Sequence, residues 1–310
     1  MSISLRMPKT LVSLIAILLL VVSANAATTF DLLRLDPTPR GAALAGNSLA
    51  LLGGTLDALS MHPGGLASVH HQHVSASYSN HPLDVSGGRF SYGYPSSYGY
   101  GAFSLTYLNY GEFDRRLSLE DEVNGTFSPT DLLVSAGFAR EVYDNLGVGV
   151  SVKYISSQID DYNSSAIAMD ISGHWNTGWN MVKLAVGVSN IGTQLESYID
   201  TEEDLPTEGH FGVAKQLEHL PLVLTISGHM DIDSNFYGAA AGEFTVSPML
   251  KLRAGYTSLG PDYHVGGSQD GLAGISAGVG VFYLDFNLDY ALVSQGPVGQ
   301  VHKLGITYQF

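Results

Sequence analysis

The 310-residue chain has no cysteine, so it holds no disulfide scaffold and no thiolate metal or redox site. Charge is scarce too. Asp, Glu, Lys and Arg make up 14% of residues, against about 25% in an ordinary soluble domain. The charge present leans acidic, with 14 Lys and Arg against 29 Asp and Glu. Binding a phosphate backbone needs clustered Lys and Arg, so a nucleic-acid partner is not expected. Long apolar runs are missing as well. The longest, Leu11–Val22 ("LVSLIAILLLVV"), falls well short of the ~20 residues that a spanning helix needs.

That run follows Arg6 and Lys9 and precedes "ANA". Residues 1–26 therefore read as a signal peptide with Ala24 and Ala26 at the cleavage site. If the remainder enters a membrane, it does so as a β-barrel, because no later stretch could span as a helix.

What is plentiful is Gly (36), Tyr (17) and Phe (12), a composition suited to strands and tight turns. From about Gln72 the sequence alternates with period 2. In "LDFNLDYAL", Leu284, Phe286, Leu288, Tyr290 and Leu292 share one face, and Asp285, Asn287 and Asp289 share the other. "LKLRAGY", "GVGVSVKY" and "LVLTISGHMD" behave alike. The pattern predicts fourteen strands, near 72–80, 86–94, 98–110, 131–141, 146–157, 164–176, 180–191, 208–217, 220–231, 236–246, 249–258, 272–281, 284–293 and 301–310. Their connections alternate short and long. A Greek-key sandwich has no reason to do this, whereas a transmembrane barrel has short periplasmic turns and longer external loops. The expected fold is an all-β, 14-stranded antiparallel transmembrane barrel over 72–310. The parity of apolar residues flips at Phe282–Tyr283, which predicts a turn there. "SSQIDDYNSS" predicts one of the longer loops.

By parity, Lys153, Asp170, His174, His229, Lys251, Arg253, Asp285 and Asp289 face the lumen. Both signs occur, which suits a hydrated or plug-filled interior better than a greasy tunnel. Residues 27–71 lack the period-2 pattern and carry Ala/Leu pieces broken by Gly and Pro. They read as a plug, or hatch, tucked into the lumen, or else as an extension packed beneath the barrel.

Several stretches look like chemistry and are discounted. "GISAG" (Gly274–Gly278) matches Gly-x-Ser-x-Gly, but no helix follows it, so a nucleophile elbow is not expected. His62, His70, His71 and His73 form no closed ligand set, and they read as polar residues at the periplasmic rim. "DIDSN" (Asp231–Asn235) opens like a calcium loop and then departs from that pattern. The acidic run of Glu196, Asp200, Glu202, Glu203 and Asp204 reads as a solvated loop or as a docking patch for a basic partner. No catalytic residue, cofactor or metal is expected.

The closing stretch "KLGITYQF" places Lys303, Gly305, Tyr308 and Phe310 in the polar-x-Gly-x-x-aromatic-x-aromatic arrangement of outer-membrane insertion signals. That arrangement implies the barrel-insertion machinery as a partner, with Leu304, Ile306, Tyr308 and Phe310 facing lipid and this strand closing against the first.

The hatch also carries a resemblance. "FDLLRL" and "PTPRGAALAG", with Pro39 and Arg40, are followed by Asp57 in "TLDAL" and by His62, Pro63, Gly65 and Leu66 in "MHPGGLAS". Farther on come "GTFSPTDLLVSAGFARE", "VGVSVKYISSQIDDYNSSAIAMDIS" and "GVSNIG". This order is similar to the PorV/PorQ family of type IX secretion outer-membrane proteins, within the FadL-like superfamily, and the compact hatch leans toward PorQ. The family usually has Asn-Pro-Ala-Gly-Leu where this chain has His62-Pro63-Gly64-Gly65-Leu66. The resemblance implies an integral outer-membrane protein that binds secretion or attachment-complex proteins, either a PorZ-like partner or the C-terminal signal domains of cargo. The alternative is a FadL-like uptake channel for hydrophobic small molecules.

Overall fold

The computed structural model describes residues 30–46, 49–51, 55–116, 124–199, 201–231 and 235–310. The expected signal peptide with Ala24 and Ala26, Asp200, and positions 232–234 of "DIDSN" lie outside them. In chain order the strands are β1 (His73–Asn80), β2 (Ser86–Ser96), β3 (Gly99–Asn109), β4 (Phe113–Asp114), β5 (Thr126–Phe127), β6 (Thr130–Tyr143), β7 (Leu146–Ile159) and β8 (Tyr162–Asn176). They continue as β9 (Val182–Glu196), β10 (Glu208–Gln216), β11 (Leu222–Asp231), β12 (Phe236–Ser247), β13 (Leu250–Thr257), β14 (Ile275–Tyr283), β15 (Phe286–Ser294) and β16 (Gln300–Gln309). All but β4 and β5 close into one antiparallel barrel of fourteen strands. Closure pairs β16 with β1, from His73 opposite Gln309 to Asn80 opposite His302. β4 and β5 form a hairpin of their own within the longest loop, with Phe113 stacked on Phe127 at 5.8 Å.

Alternation settles which face is which. On β2, Phe90, Tyr92 and Tyr94 are exposed, while Arg89 and Ser91 are buried inside. On β7, Val150, Val152 and Tyr154 point out, while Ser151 and Lys153 point in. On β16, Leu304 and Ile306 point out, while Lys303 and Gly305 point in. A soluble monomer rarely leaves so large a continuous apolar surface exposed. An apolar outer wall around a polar interior is the arrangement of a transmembrane barrel of the outer-membrane type. Tyr98, Tyr143, Trp179, Tyr283 and Phe310 are all exposed near the short-turn end, where an interfacial aromatic girdle belongs.

The chain reverses tightly at one end, for example at 97–98, 144–145 and 248–249, and by longer loops at the other. Two expected turns move. The β14–β15 reversal falls at Leu284–Asp285, with Leu284 at φ 51°, rather than at Phe282–Tyr283. Asp285 is thus an exposed turn residue and does not face the lumen. Parity misplaced the turn because the apolar run Phe282–Tyr283–Leu284 continues into the reversal, where Tyr283 and Leu284 are both exposed. "SSQIDDYNSS" is no long loop: β7 and β8 run on to a two-residue turn at Asp160–Asp161, where Asp160 takes φ 54°. Aspartate tolerates that left-handed conformation, so the polar residues around it are free to pair as strand.

The described part of the hatch lies within the lumen. Thr38 caps the short helix Pro39–Ala43, its hydroxyl accepting from Gly41 N at 3.1 Å. Pro39 packs on Gly305 of β16, and Ser276 Oγ of β14 donates to Ala43 O at 3.0 Å. The helix Ala58–Met61 and the turn Pro63–Ser68 pack on β3, β6, β7 and β8, burying Leu59 and Leu66 with Tyr100 and Ala139. Here the wall must be thin. A Cβ on Gly149 would stand 2.4 Å from the Pro63 carbonyl, so the backbones meet only because position 149 is glycine.

Candidate functional site: the lumen and its outer chamber

The residues facing inward fall into two zones. The zone toward the short turns is charged. Glu243 on β12 accepts from Arg40 of the hatch at 3.0 and 3.2 Å, from Lys251 at 3.2 Å and from Arg253 at 2.8 Å. Arg253 also reaches Asp289 on β15. Asp57 lies within electrostatic range of Arg40, and burial outweighs that cation, raising its carboxyl to about 6. Higher up, Lys153 pairs with Asp170 at 2.8 Å, both fully enclosed. Of the inward-facing residues expected from parity, Lys153, Asp170, His174, His229, Lys251, Arg253 and Asp289 do face the lumen.

A column of rings crosses the middle. His62 lies edge-on to His210 at 5.7 Å, His210 lies 6.1 Å from His229, and His229 stacks on Tyr237 at 4.6 Å. His229 and Tyr237 both contact Glu208. His62 is therefore not a rim residue as expected. It is 1% exposed inside the barrel, and burial, with His210 and His174 nearby, holds it well below the ordinary imidazole range. The sequence hid this because the hatch supplies no period from which to read a side. His70 and His71 are exposed at the rim, and His73 opens β1 beside the Tyr100 hydroxyl at 3.3 Å. Among the described residues, no group of three or more His, Cys, Asp or Glu has metal-binding geometry. Ser276 of "GISAG" lies in β14, 1% exposed and bonded to the hatch carbonyl of Ala43.

The zone toward the loops is apolar, against the expectation of a uniformly polar interior. Phe30, Leu32 and Leu33 pack into a chamber walled by Leu108 of β3, Leu133 of β6, Ile155 of β7 and Ala166 and Ala168 of β8. Leu205, from the segment between β9 and β10, closes one side. Two voids of about 20 and 10 Å³ remain between hatch and wall. Both touch Arg89, whose Nη2 is buried without a hydrogen-bond partner. Parity misses this chamber because inward Leu and Ile on β3, β6 and β7 are single departures from polar faces. They become a patch only when four strands meet.

The chamber adjoins an irregularity in the wall. The β9–β10 ladder ends at Ser189 opposite Glu208, yet β9 runs on to Glu196 beside β8. At about 3.3 Å per residue, and tilted, the 9 residues of β10 barely cover the ~25 Å apolar band, while the 15 of β9 overshoot it. At the break β9 bulges against β8, with Asn190 at φ 59° and its N–H donating to Asp170 at 2.8 Å. Asn190 Oδ1 accepts from Lys153 at 2.9 Å. Its Nδ2 donates to Pro206 O at 3.1 Å and to Leu33 O at 3.4 Å. Residues 197–199 and 201–207 cover the break as a flap tied by side chains: Glu203 N donates to Gln194 Oε1 at 2.8 Å and Thr207 Oγ1 to Asn190 O at 2.9 Å. Of the acidic run, Glu196 ends β9, and Glu202, Glu203 and Asp204 lie on the flap; all four are exposed.

No protein-family model and no curated protein matches the sequence. The fold does match solved barrels. The chain is similar to the CymD monoaromatic hydrocarbon channel, with 10% identity over 92% of this chain and 99% of that one, at a TM-score of 0.59. It is similar to a deltaS2 mutant of the TodX monoaromatic hydrocarbon channel, with 12% identity over 90% and 99% of the two chains, at 0.59. A Pseudomonas aeruginosa FadL homologue matches at 12% identity over 87% and 97%, at 0.53. At these identities the likeness is one of fold, that of FadL-like outer-membrane barrels.

Proposed function

We propose that this barrel is an uptake channel for hydrophobic small molecules. The observation that carries the reading is the apolar chamber at the loop end of an otherwise polar lumen, ending where the β9–β10 ladder stops. A ligand entering there takes the place of Phe30, Leu32 and Leu33, and the flap is the part of the wall that yields. The flap bonds named above each involve a side chain and are worth about 0.5–1.5 kcal/mol net, and the β9–β10 ladder lies outside the flap. The similar barrels named as monoaromatic hydrocarbon channels support the same reading. In this role the protein forms no covalent intermediate and needs no cofactor.

The chain has no native cysteine, which makes a crosslinking test unambiguous. Cysteines placed at Gln194 and Glu203 tie the flap to β9. In cells lacking their own hydrophobic-uptake channel, the wild-type protein raises accumulation of labelled toluene. The oxidised double variant abolishes the gain and reductant restores it. Uptake unchanged by the crosslink sinks the reading.

A second reading, a secretion-system component that binds cargo signal domains or a PorZ-like partner, draws on the exposed carboxylates of the flap and on the lumen-filling hatch. It predicts that the purified protein captures such a partner, with capture lost when Glu202 and Glu203 become Gln.

A further inference from the structure

The two small voids between hatch and wall stand out by what surrounds them. The smaller, about 10 Å³, has five polar side chains in its lining: Ser60 of the hatch, Arg89 of β2, Thr106 of β3, Ser135 of β6 and Lys153 of β7. None is a carboxylate or a carboxamide. The larger, about 20 Å³, shares Arg89 and Thr106 and adds Lys303 of β16, again with no carboxylate. The chain as a whole has 29 Asp and Glu against 14 Lys and Arg. Yet the polar side chains around these adjoining spaces are cations and hydroxyls alone.

Arg89 is 7% exposed, and its fork is incompletely used. Nε donates to Ser91 Oγ at 2.9 Å and Nη1 to Thr106 Oγ1 at 3.3 Å, while Nη2 is buried without a hydrogen-bond partner. Asp57 and Asp36 of the hatch act on Arg89 from electrostatic range, but among the described residues no carboxylate forms an ion pair with it. Ser60 Oγ, from the lining of the smaller void, is also buried without a partner. Thr106 Oγ1 accepts from Arg89 and so keeps its own hydrogen to donate. Lys153 is taken up by Asp170 and Asn190 and adds only its field. A buried charge or donor left without a partner costs free energy. Two such orphans border a space of about the size that holds one water-sized particle.

We propose that this space binds a single halide ion, chloride, between Arg89 and Ser60, and that the ion pins the hatch to the wall. A halide accepts from several N–H and O–H groups at once and supplies the negative charge that Arg89 lacks at contact. A water molecule fits by size, but it brings no charge and has two hydrogens of its own to place among donors. Because Ser60 belongs to the hatch and Arg89 to β2, the ion joins two parts of the molecule that no ion pair joins there. The inference does not rest on the uptake reading.

The test uses the purified full chain in detergent at constant ionic strength, with chloride exchanged for gluconate, an anion too large for the void. Screening is then equal, and only binding at the site differs. At chloride ten times its dissociation constant the undocked hatch population should fall about tenfold, read as a slower rate of protease cutting within the hatch. Bromide should substitute for chloride, and crystals grown in bromide should show an anomalous peak beside Arg89 Nη2. Arg89→Gln should abolish the chloride effect. Ser60→Ala keeps the cation and should raise the chloride needed by roughly tenfold, the loss of one hydrogen bond to a charged group. Equal cutting in chloride and gluconate, as water in the void would give, overturns the proposal. So does a bromide peak absent from Arg89, or a chloride effect that survives Arg89→Gln.

Discussion

The two ends of the lumen hold the hatch by opposite means. Toward the short turns it is fastened by charge, Arg40 reaching Glu243 within a cluster that includes Lys251, Arg253 and Asp289. Toward the loops it is held by apolar packing of Phe30, Leu32 and Leu33 against the wall. Ion pairs fix one geometry, because a partner left alone inside costs several kcal/mol. Apolar packing is non-directional, and another apolar group can replace it. The charged end is therefore the anchor and the greasy end is the part that can exchange.

Variants at each end test that division. Glu243→Gln should have the largest effect, since it leaves Arg40, Lys251 and Arg253 facing one another. A loss of about 3–5 kcal/mol is expected, read as lower thermal stability in detergent and as protease cutting within the hatch. Stability within 1 kcal/mol of wild type would show that the anchor lies elsewhere. Leu33→Ala should cost about 2 kcal/mol, the low end for buried leucine, because small voids already adjoin it. An added apolar ligand should restore that loss. Failure of the ligand to restore it would mean that the chamber does not exchange its contents.

The smallest effect is a pH dependence. The Asp57 carboxyl is raised from 3.8 to about 6 in the folded chain, so folding favours its protonated form. Its contribution to hatch docking is complete below about pH 4 and is lost as pH rises through about 6. Protease protection of the hatch should fall modestly across that window, and Asp57→Asn should flatten the change. A variant with the same pH profile as wild type assigns the dependence to another group.

The barrel was largely legible in the sequence, since a sheet with one polar and one apolar face writes its pleat into every second residue. The β7 and β15 faces were read correctly for that reason. Asp285 was misplaced because turns carry no period, and Asp160–Asp161 hid a tight reversal inside a polar run. His62 and Arg40 were singled out as motif residues, but nothing local says which wall they meet. Arg40 meets Glu243 across 203 positions of chain.

By itself, the sequence determined the strand count, the face that meets lipid and the end that carries the long loops, because these follow from local alternation and turn chemistry. Tertiary structure alone decided the apolar chamber, the break between β9 and β10, and the ion-pair cluster around Glu243. Each joins residues far apart in the chain whose types are unremarkable singly, and only closure of the barrel around the hatch brings them within contact distance.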